Sequence, residues 1–285
     1  MTIAVTVKVH DGIVVASDSA TTMRRRNANG QPQIVNIYNN ANKIFNLRKG
    51  FPVGSVTAGA GSIGHSSIAT LSKDLRSRLS GGSDAHGDWA LDRDSFTMDQ
   101  VASRAKEFLY DEKWRAHYGD ATNIDDLHFW VFGYSAQVDQ SELWKIHVHE
   151  GQCAGATLAR CHDETGIDWA GQTETISRLL LGYSPRLEQK LLDEGRDPAQ
   201  IEKLTETLKN MLAVTLYTDP MPIIDAIDLA EFLVHTTIMF SRFDVGAATV
   251  GGPIEVAAIT RHEQFKWVSR KHYFNSELNP EIADA

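Results

Sequence analysis

The sequence predicts an α+β fold: a four-layer αββα sandwich in which two antiparallel sheets pack face to face and helices cover each outer side. Two observations support this prediction. Strand patterns occur as hairpins joined by turn residues, and helical patterns occur in groups between the strands. The 285 residues are enough to bury a full core, and no linker separates domains, so we expect one domain over 1–285 with a tail over 272–285.

The amino-terminal residues predict the first hairpin. Branched hydrophobic residues occupy the odd positions of 3–9, which is the period of a half-buried strand. Asp11-Gly12 is a strong turn signal, and the apolar run 13–16 after it predicts the second strand. The polar stretch 27–42, rich in Asn and Gln, predicts an exposed excursion from the sheet.

The middle of the chain predicts a second hairpin, two helices and three more strands. The strands of the hairpin are 43–47 and 53–59, and the glycines that follow predict a helix over 62–79. A second helix is expected from Ser95. The further strands are expected over 128–134, 143–148 and 156–159.

The last third of the chain is predicted to be mostly helical from about Glu174. Three prolines mark helix starts and breaks there, namely Pro185, Pro198 and Pro220. The last helix is expected over 223–240. Two strand patterns then close the sheets, over 251–259 and 265–268.

The composition excludes several classes of protein. Hydrophobic residues make up 42% of the chain, and the formal net charge of −9 opposes nucleic-acid binding. The basic cluster Arg24–Arg26 is predicted to be a solvated turn. We expect neither a secretory leader nor a membrane span, because no leader pattern and no apolar run of about 20 residues occurs. Cys153 and Cys161 are then reduced thiols, and the expected location is the cytoplasm.

Thr2 is the first candidate for chemistry, because it becomes the first residue once Met1 is trimmed. A hydroxyl nucleophile needs a base, and a chain-terminal threonine carries one in its own α-amine, whose unperturbed pKa is near ~8. The alternative is an ordinary strand that happens to follow Met-Thr. The residues that accompany Thr2 decide between the two.

The first sixty residues resemble a proteasome β-type subunit, a member of the N-terminal-nucleophile hydrolases, and the smaller bacterial relatives that assemble without α-type subunits. The resemblance is carried by Thr2, the hairpin through Asp11-Gly12, the run from Ala16 to Thr22, Lys43-Ile44-Phe45, and Ala58 to Gly61 before a helix. It covers residues 2–63 closely. The run from Val250 to Thr260 also resembles the family's closing strand.

The resemblance implies a catalytic set of four residues. Thr2 is the nucleophile, Asp18 the carboxylate, Lys43 the cation, and the backbone N–H of Gly59 the oxyanion donor. Lys43 close to Thr2 would lower the pKa of the amine by repulsion between like charges. The alternatives are ordinary ones: Asp18 as a turn cap, Lys43 as a solvated lysine on an edge strand, and Gly59 as a turn glycine.

The resemblance also implies four substrate-binding residues. Thr22 would pair its backbone with an extended substrate, Thr21 and Thr57 would line a small and partly polar side-chain pocket, and Gly61 would complete the site. The chain departs from the family pattern in three places. The stretch between Asp18 and Lys43 is longer by about ten residues, 171–173 replaces a Gly-Ser-Gly turn, and Ala247 and Val250 replace an aspartate and a serine, with Asp244 out of register.

These residues predict a threonine-type peptidase that needs no cofactor and cleaves peptides or unfolded polypeptides. Family analogy implies a homo-oligomeric ring or spiral that encloses the site, and it names no unfoldase partner. Two alternatives remain open: an amidase or acylase for small amides on the same fold, and a catalytically silent assembly subunit.

A metal site is not predicted. His147 and His149 lie on one face of a predicted strand and could reach one ion, but a third ligand is not evident, so a polar or interface-facing pair is favoured. The glycines of 59–64 lack the Lys-Ser/Thr pair of a phosphate-binding loop.

Overall fold

Two antiparallel sheets of five strands each lie at the centre of the structure, a computed structural model that describes residues 2–26, 32–82 and 88–272. The first sheet has the spatial order β12 (Gly166–Gly171), β1 (Ile3–Val9), β2 (Gly12–Ser17), β13 (Glu255–Thr260) and β14 (Gln264–Ser269). The second sheet has the order β11 (Ala156–Arg160), β10 (Glu142–Val148), β9 (Leu127–Gly133), β6 (Val53–Gly59) and β5 (Ile44–Asn46). Two small hairpins stand apart, β3 (Thr21–Arg26) with β4 (Pro32–Tyr38), and β7 (Ser62–Ile63) with β8 (Ser66–Ser67).

Helices cover the outer side of each sheet. Those on the second sheet are α1 (Ile68–Leu79) and α2 (Met98–Lys106), the latter continuing through a π-helical segment (Glu107–Trp114) into α3 (Arg115–Tyr118). Those on the side of the first sheet are α4 (Glu174–Leu181), α5 (Arg186–Asp193), α6 (Pro198–Leu212) and α7 (Ile223–Phe243). The predicted α+β fold with four αββα layers is confirmed.

The core has three layers, because each sheet buries both faces. Between the sheets, small residues of the first sheet such as Ala4 and Ala257 pack against Trp130 and Phe132 of the second. On the outer side of the first sheet, the branched residues of β1 pack against α7. The prediction of a half-buried strand over 3–9 is therefore wrong, since every residue of β1 is buried.

Lys8 shows how the fold accommodates a charge in this buried strand. Its side chain is 1% exposed, and its ammonium donates hydrogen bonds to the carbonyl oxygens of Cys161, His162 and Glu164 at 2.6–2.9 Å. The lysine thereby holds the turn between β11 and β12 against the end of β1.

Three other local predictions differ from the structure. Helix α1 begins at Ile68 instead of residue 62, because 62–67 form the β7–β8 hairpin and Ser67 caps the helix by accepting the N–H of Thr70. Arg24–Arg26 lie in β3 instead of a turn. The described part of the predicted excursion is mostly exposed and apart from the main sheets, as expected, and it contains β4; residues 27–31 lie outside the described ranges. Strand β12 was not predicted.

Neither of the two cysteines forms a disulfide. Within the described part of the chain, every helix is too short or too polar to cross a bilayer.

Candidate active site

The β1–β2 hairpin places Asp18 beside the residue that follows Thr2. The Ile3 N–H donates to Asp18 Oδ1 at 3.0 Å, and the Asp18 N–H donates to the Ile3 carbonyl at 3.3 Å. Thr2, which is 5% exposed, thus lies at the end of a central hairpin and not on a free edge.

Asp18 and Lys43 form a buried ion pair, with 2.6 Å between Lys43 Nζ and Asp18 Oδ1. The other oxygen of Asp18 accepts the N–H groups of Ala20 and Gly251, each at 3.0 Å. Burial lowers the pKa of Lys43 below 10.5, and the charge of Asp18 acts in the opposite direction. The alternative of a turn cap at Asp18 is compatible with the Ala20 contact, whereas the alternative of a solvated Lys43 is wrong, because Lys43 is 4% exposed.

A cavity of about 660 Å³ opens over this ion pair. Seven of the eight site residues expected from the sequence line it: Thr2, Thr21, Thr22, Lys43, Thr57, Gly59 and Gly61. The eighth, Asp18, is fully buried and hydrogen-bonded to Lys43. The fold therefore brings together on one cavity the residue before β1, residues of β3, residues of β6 and the segment after it, and the segment before β5.

Gly59 ends β6 on the wall of this cavity, exposed and with φ +88°. A Cβ at this position would overlap with the carbonyl oxygen of Asp126, so the close approach of the backbone at Gly59 to the backbone at Asp126 requires glycine. The next residue is held as well, because the Ala60 N–H donates to that same carbonyl at 2.7 Å. The segment 59–61 is thus fixed against the start of β9.

Gly171 fixes Thr2 in a similar way. It has φ +99°, and a Cβ there would overlap with the carbonyl oxygen of Thr2. The neighbouring Gln172 N–H donates to that carbonyl at 2.7 Å. The segment in which the sequence departs from the family's Gly-Ser-Gly turn therefore positions Thr2 through its backbone.

This geometry can be compared with known proteins. No family model matches the chain, and the comparison with curated proteins gives no significant match. Among solved structures, the chain is similar to an Anbu mutant from Hyphomicrobium sp. strain MC1, with a TM-score of 0.54 and 17% sequence identity over 95% of this chain and 86% of that chain. Anbu is a bacterial proteasome-like homologue. The chain has a proteasome-like fold.

A second charged pair, Lys271 and Glu255, lies near the Asp18–Lys43 pair, and the sequence analysis does not predict it. Lys271 Nζ is 2.9 Å from Glu255 Oε2 and donates to Ser19 Oγ at 2.6 Å and to the Ala41 carbonyl at 2.7 Å. Lys271 had been placed at the border of the tail. A glutamate inside the otherwise apolar β13 was the available signal, because a buried carboxylate requires a partner.

Among the described residues, Asp244 and Val250 of the altered closing segment are not part of the cavity wall. Asp244 follows α7, is exposed, and accepts the N–H of its own neighbour Val245. Val250 packs in the core between the first sheet and its helices. Ser19 and Lys271 occupy the space behind the Asp18–Lys43 pair instead.

A second cavity, of about 380 Å³, also contacts Thr2 and Gly59. Its wall includes Gly171, Asp126 and His128. Thr2 thus contributes to both cavities, and the side chains around the start of β9 are its neighbours.

Proposed function

We propose that the chain is an N-terminal threonine hydrolase, and most specifically a peptidase. The observation that carries this proposal is the shared cavity of Thr2, Lys43 and Gly59, with Lys43 held by a buried carboxylate. A nucleophile with its own base, a cation and a backbone donor are the components that acyl transfer requires.

In the proposed reaction, the Thr2 hydroxyl oxygen attacks the substrate carbonyl carbon while the α-amine of Thr2 takes the hydroxyl proton. The Gly59 N–H stabilises the resulting oxyanion, a contribution of about 3 kcal/mol for one such donor. The C–N bond then breaks as the amine passes the proton to the leaving group. Water hydrolyses the ester on Thr2 and restores the hydroxyl and the free amine.

Removal of Met1 is part of this proposal, because an amine in a peptide bond is not a base. Lys43 would keep the freed amine unprotonated through repulsion between like charges. Asp18 keeps Lys43 in place, since its carboxylate accepts a hydrogen bond from the Lys43 ammonium.

The substrate is proposed to be an extended peptide beside β3, in which Thr22 offers its backbone. Thr21 and Thr57 line the cavity, and we propose that their short hydroxyl side chains make the side-chain pocket small and partly polar. We also propose, by analogy with proteasome-like proteins, that copies of the chain assemble into a ring or spiral in the cytoplasm.

An electrophile that requires both groups of Thr2 tests the proposal. A peptide epoxyketone closes a ring with a 1,2-amino alcohol, so it reports a free amine and a nucleophilic hydroxyl together. We expect one adduct by intact mass, mapped to Thr2, which is absent in Thr2→Ala and present in the control Thr207→Ala on the exposed surface of α6.

Assays on the unmodified protein distinguish the peptidase from the two alternative functions. Turnover of fluorogenic peptides supports the peptidase, whereas turnover of small amides alone supports the amidase or acylase. Protein that retains Met1 and forms no adduct supports the silent assembly subunit. Labelling of protein without Met1 at a residue other than Thr2 contradicts the threonine mechanism.

A further inference from the structure

We propose that Asp126, His147 and His149 form a binding site for a divalent transition metal ion of the Zn²⁺ class. The sequence provides His147 in β10 and His149 just after it, and the fold adds the carboxylate of Asp126, which directly precedes the neighbouring β9. One potential ligand atom from each residue lies within 4.8 Å of the other two. This inference does not depend on the proposed hydrolase.

The distances match a three-residue metal site. Asp126 Oδ2 is 2.7 Å from His149 Nδ1 and 3.7 Å from His147 Nε2. Ligands of a tetrahedral zinc ion at about 2.0–2.2 Å stand about 3.3 Å apart from one another. The observed spacings bracket that value, so small rotations of side chains are enough to admit an ion.

Strand pairing, ring stacking and backbone hydrogen bonds hold the three residues. His147 lies in β10 and pairs with His128 of β9, and their rings stack at 4.1 Å with 15° between the planes, which fixes the orientation of the His147 ring. Asp126 directly precedes β9, and its carbonyl accepts the Ala60 N–H. His149 is held by a pair of backbone hydrogen bonds with Gln152, at 2.8 and 2.9 Å.

The donor set selects the class of ion. Two imidazole nitrogens and one carboxylate oxygen suit Zn²⁺ and its neighbours in the first transition row, whereas Mg²⁺ and Ca²⁺ prefer sites made of oxygen. Three protein ligands leave a fourth position for water or for an exogenous donor. The side chains of His147 and His149 are 45% and 62% exposed, so an ion can enter from solvent.

The location of the site gives it a connection to the candidate active site. Asp126 lines the second cavity together with Thr2 and Gly59. The Asp126 carbonyl contacts the glycine and the alanine that form the wall of the larger cavity. The residue that would hold the ion through its side chain therefore contacts, through its backbone, the segment that contains the proposed oxyanion donor Gly59.

The test uses the full chain without a polyhistidine tag, after a chelator has removed any bound metal. Titration with Co²⁺ is followed by visible absorption, and titration with Zn²⁺ by calorimetry. We expect a four-coordinate Co²⁺ spectrum that Zn²⁺ abolishes. In His147→Ala and His149→Ala the affinity for Zn²⁺ should fall at least about 100-fold, since even partners beyond the ligands change it by about 10–100-fold.

His262→Ala is the matched control, because His262 is an exposed imidazole in the β13–β14 turn, at the opposite end of the first sheet from Thr2. This variant and Thr2→Ala should bind Zn²⁺ like the unmodified chain. The inference is overturned if the unmodified chain gives no four-coordinate Co²⁺ spectrum, if both ligand variants keep it, or if Mg²⁺ binds more tightly than Zn²⁺. In those cases Asp126 and His149 form only a hydrogen-bonded pair.

Discussion

The carboxylate of Asp18 accepts hydrogen bonds from four donors that are far apart in the sequence: the N–H groups of Ile3, Ala20 and Gly251 and the ammonium of Lys43. A single buried side chain thus connects the first strand, the segment before β5 and the segment before β13. Stability and the proposed chemistry depend on the same group.

Asp18→Asn tests this connection. The amide leaves the Lys43 ammonium buried without its counter-charge, and breaking a buried pair in this way costs about 3–5 kcal/mol. We expect the free energy of unfolding in urea to fall by that amount, with loss of epoxyketone labelling. The exposed Asp244→Asn should change neither; an Asp18→Asn protein as stable as the unmodified chain would contradict the assigned ion pair.

The lowered pKa of Lys43 predicts the alkaline side of the pH profile. A lysine whose pKa lies below 10.5 loses its proton at a lower pH than a free lysine, and the cavity then loses its cation and the Asp18–Lys43 ion pair. We expect the rate of epoxyketone labelling to rise as the amine deprotonates, and then to fall, before pH 10.5 is reached, as Lys43 loses its charge. Decomposition of the reagent in buffer is the control. A rate that still increases through pH 10.5 would contradict the role of Lys43.

Single residues differed in how well the sequence revealed them. Asp18, Lys43 and Gly59 were implied by the resemblance to proteasome β-type subunits, because each stands in one of the short patterns that carry that resemblance. Lys271, Glu255 and Asp126 stand in no such pattern, and only the order of the strands and the packing of the sheets bring them to the site. A local reading of the sequence has no means of detecting contacts that depend on sheet order.

At the scale of elements, β12 determines how Thr2 is presented. This short edge strand pairs with β1, with Ile3 opposite Gly171, and its last residue contacts the backbone of Thr2. The proposed nucleophile is thus positioned by a strand on one side and by the β2 hairpin on the other.

Gly171→Ala should move Thr2 without unfolding the chain. The backbone at φ +99° costs about 1–3 kcal/mol for a residue with a Cβ, and the added methyl group also displaces the Thr2 carbonyl. We expect the labelling rate to fall at least tenfold, because a rise of about 1.4 kcal/mol in the activation free energy of labelling lowers the rate by a factor of ten.

Gly195→Ala is the control for backbone strain, because Gly195 has φ +78° and no atom near its missing Cβ. This variant should lose stability but label at the rate of the unmodified chain. Equal labelling by both alanine variants would show that β12 does not position Thr2.

The elements that the sequence predicted are those with strong local signals. The β1–β2 hairpin had its Asp-Gly turn, and α6 its Asp197 cap followed by a proline. Strand β12 was missed because it is short, lies between two glycines and carries a charged Asp168, which is stabilised by Lys145 of β10 and Arg160 of β11. The two cations that pair with Asp168 belong to the other sheet, so the local sequence around β12 does not indicate them.

At the scale of the molecule, the two sheets share one interior. Residues of β1, β2 and β13 pack directly on residues of β6 and β9, including Trp130, so neither sheet has a complete core without the other. We therefore propose a single folding domain and expect one unfolding transition. Far-UV circular dichroism and tryptophan fluorescence should give the same urea midpoint. Two separate midpoints would contradict the single domain.

The burial of Thr2 has a practical consequence for producing the protein. Thr2 is 5% exposed and β1 begins at the next residue, so no spacer separates the α-amine from the sheet. A purification handle fused at that end would be attached to a residue that lines both cavities, and it would also keep the amine acylated. We expect such preparations to be inert towards amine-dependent reagents until a protease exposes Thr2, whereas a handle at the carboxyl terminus leaves the amine available.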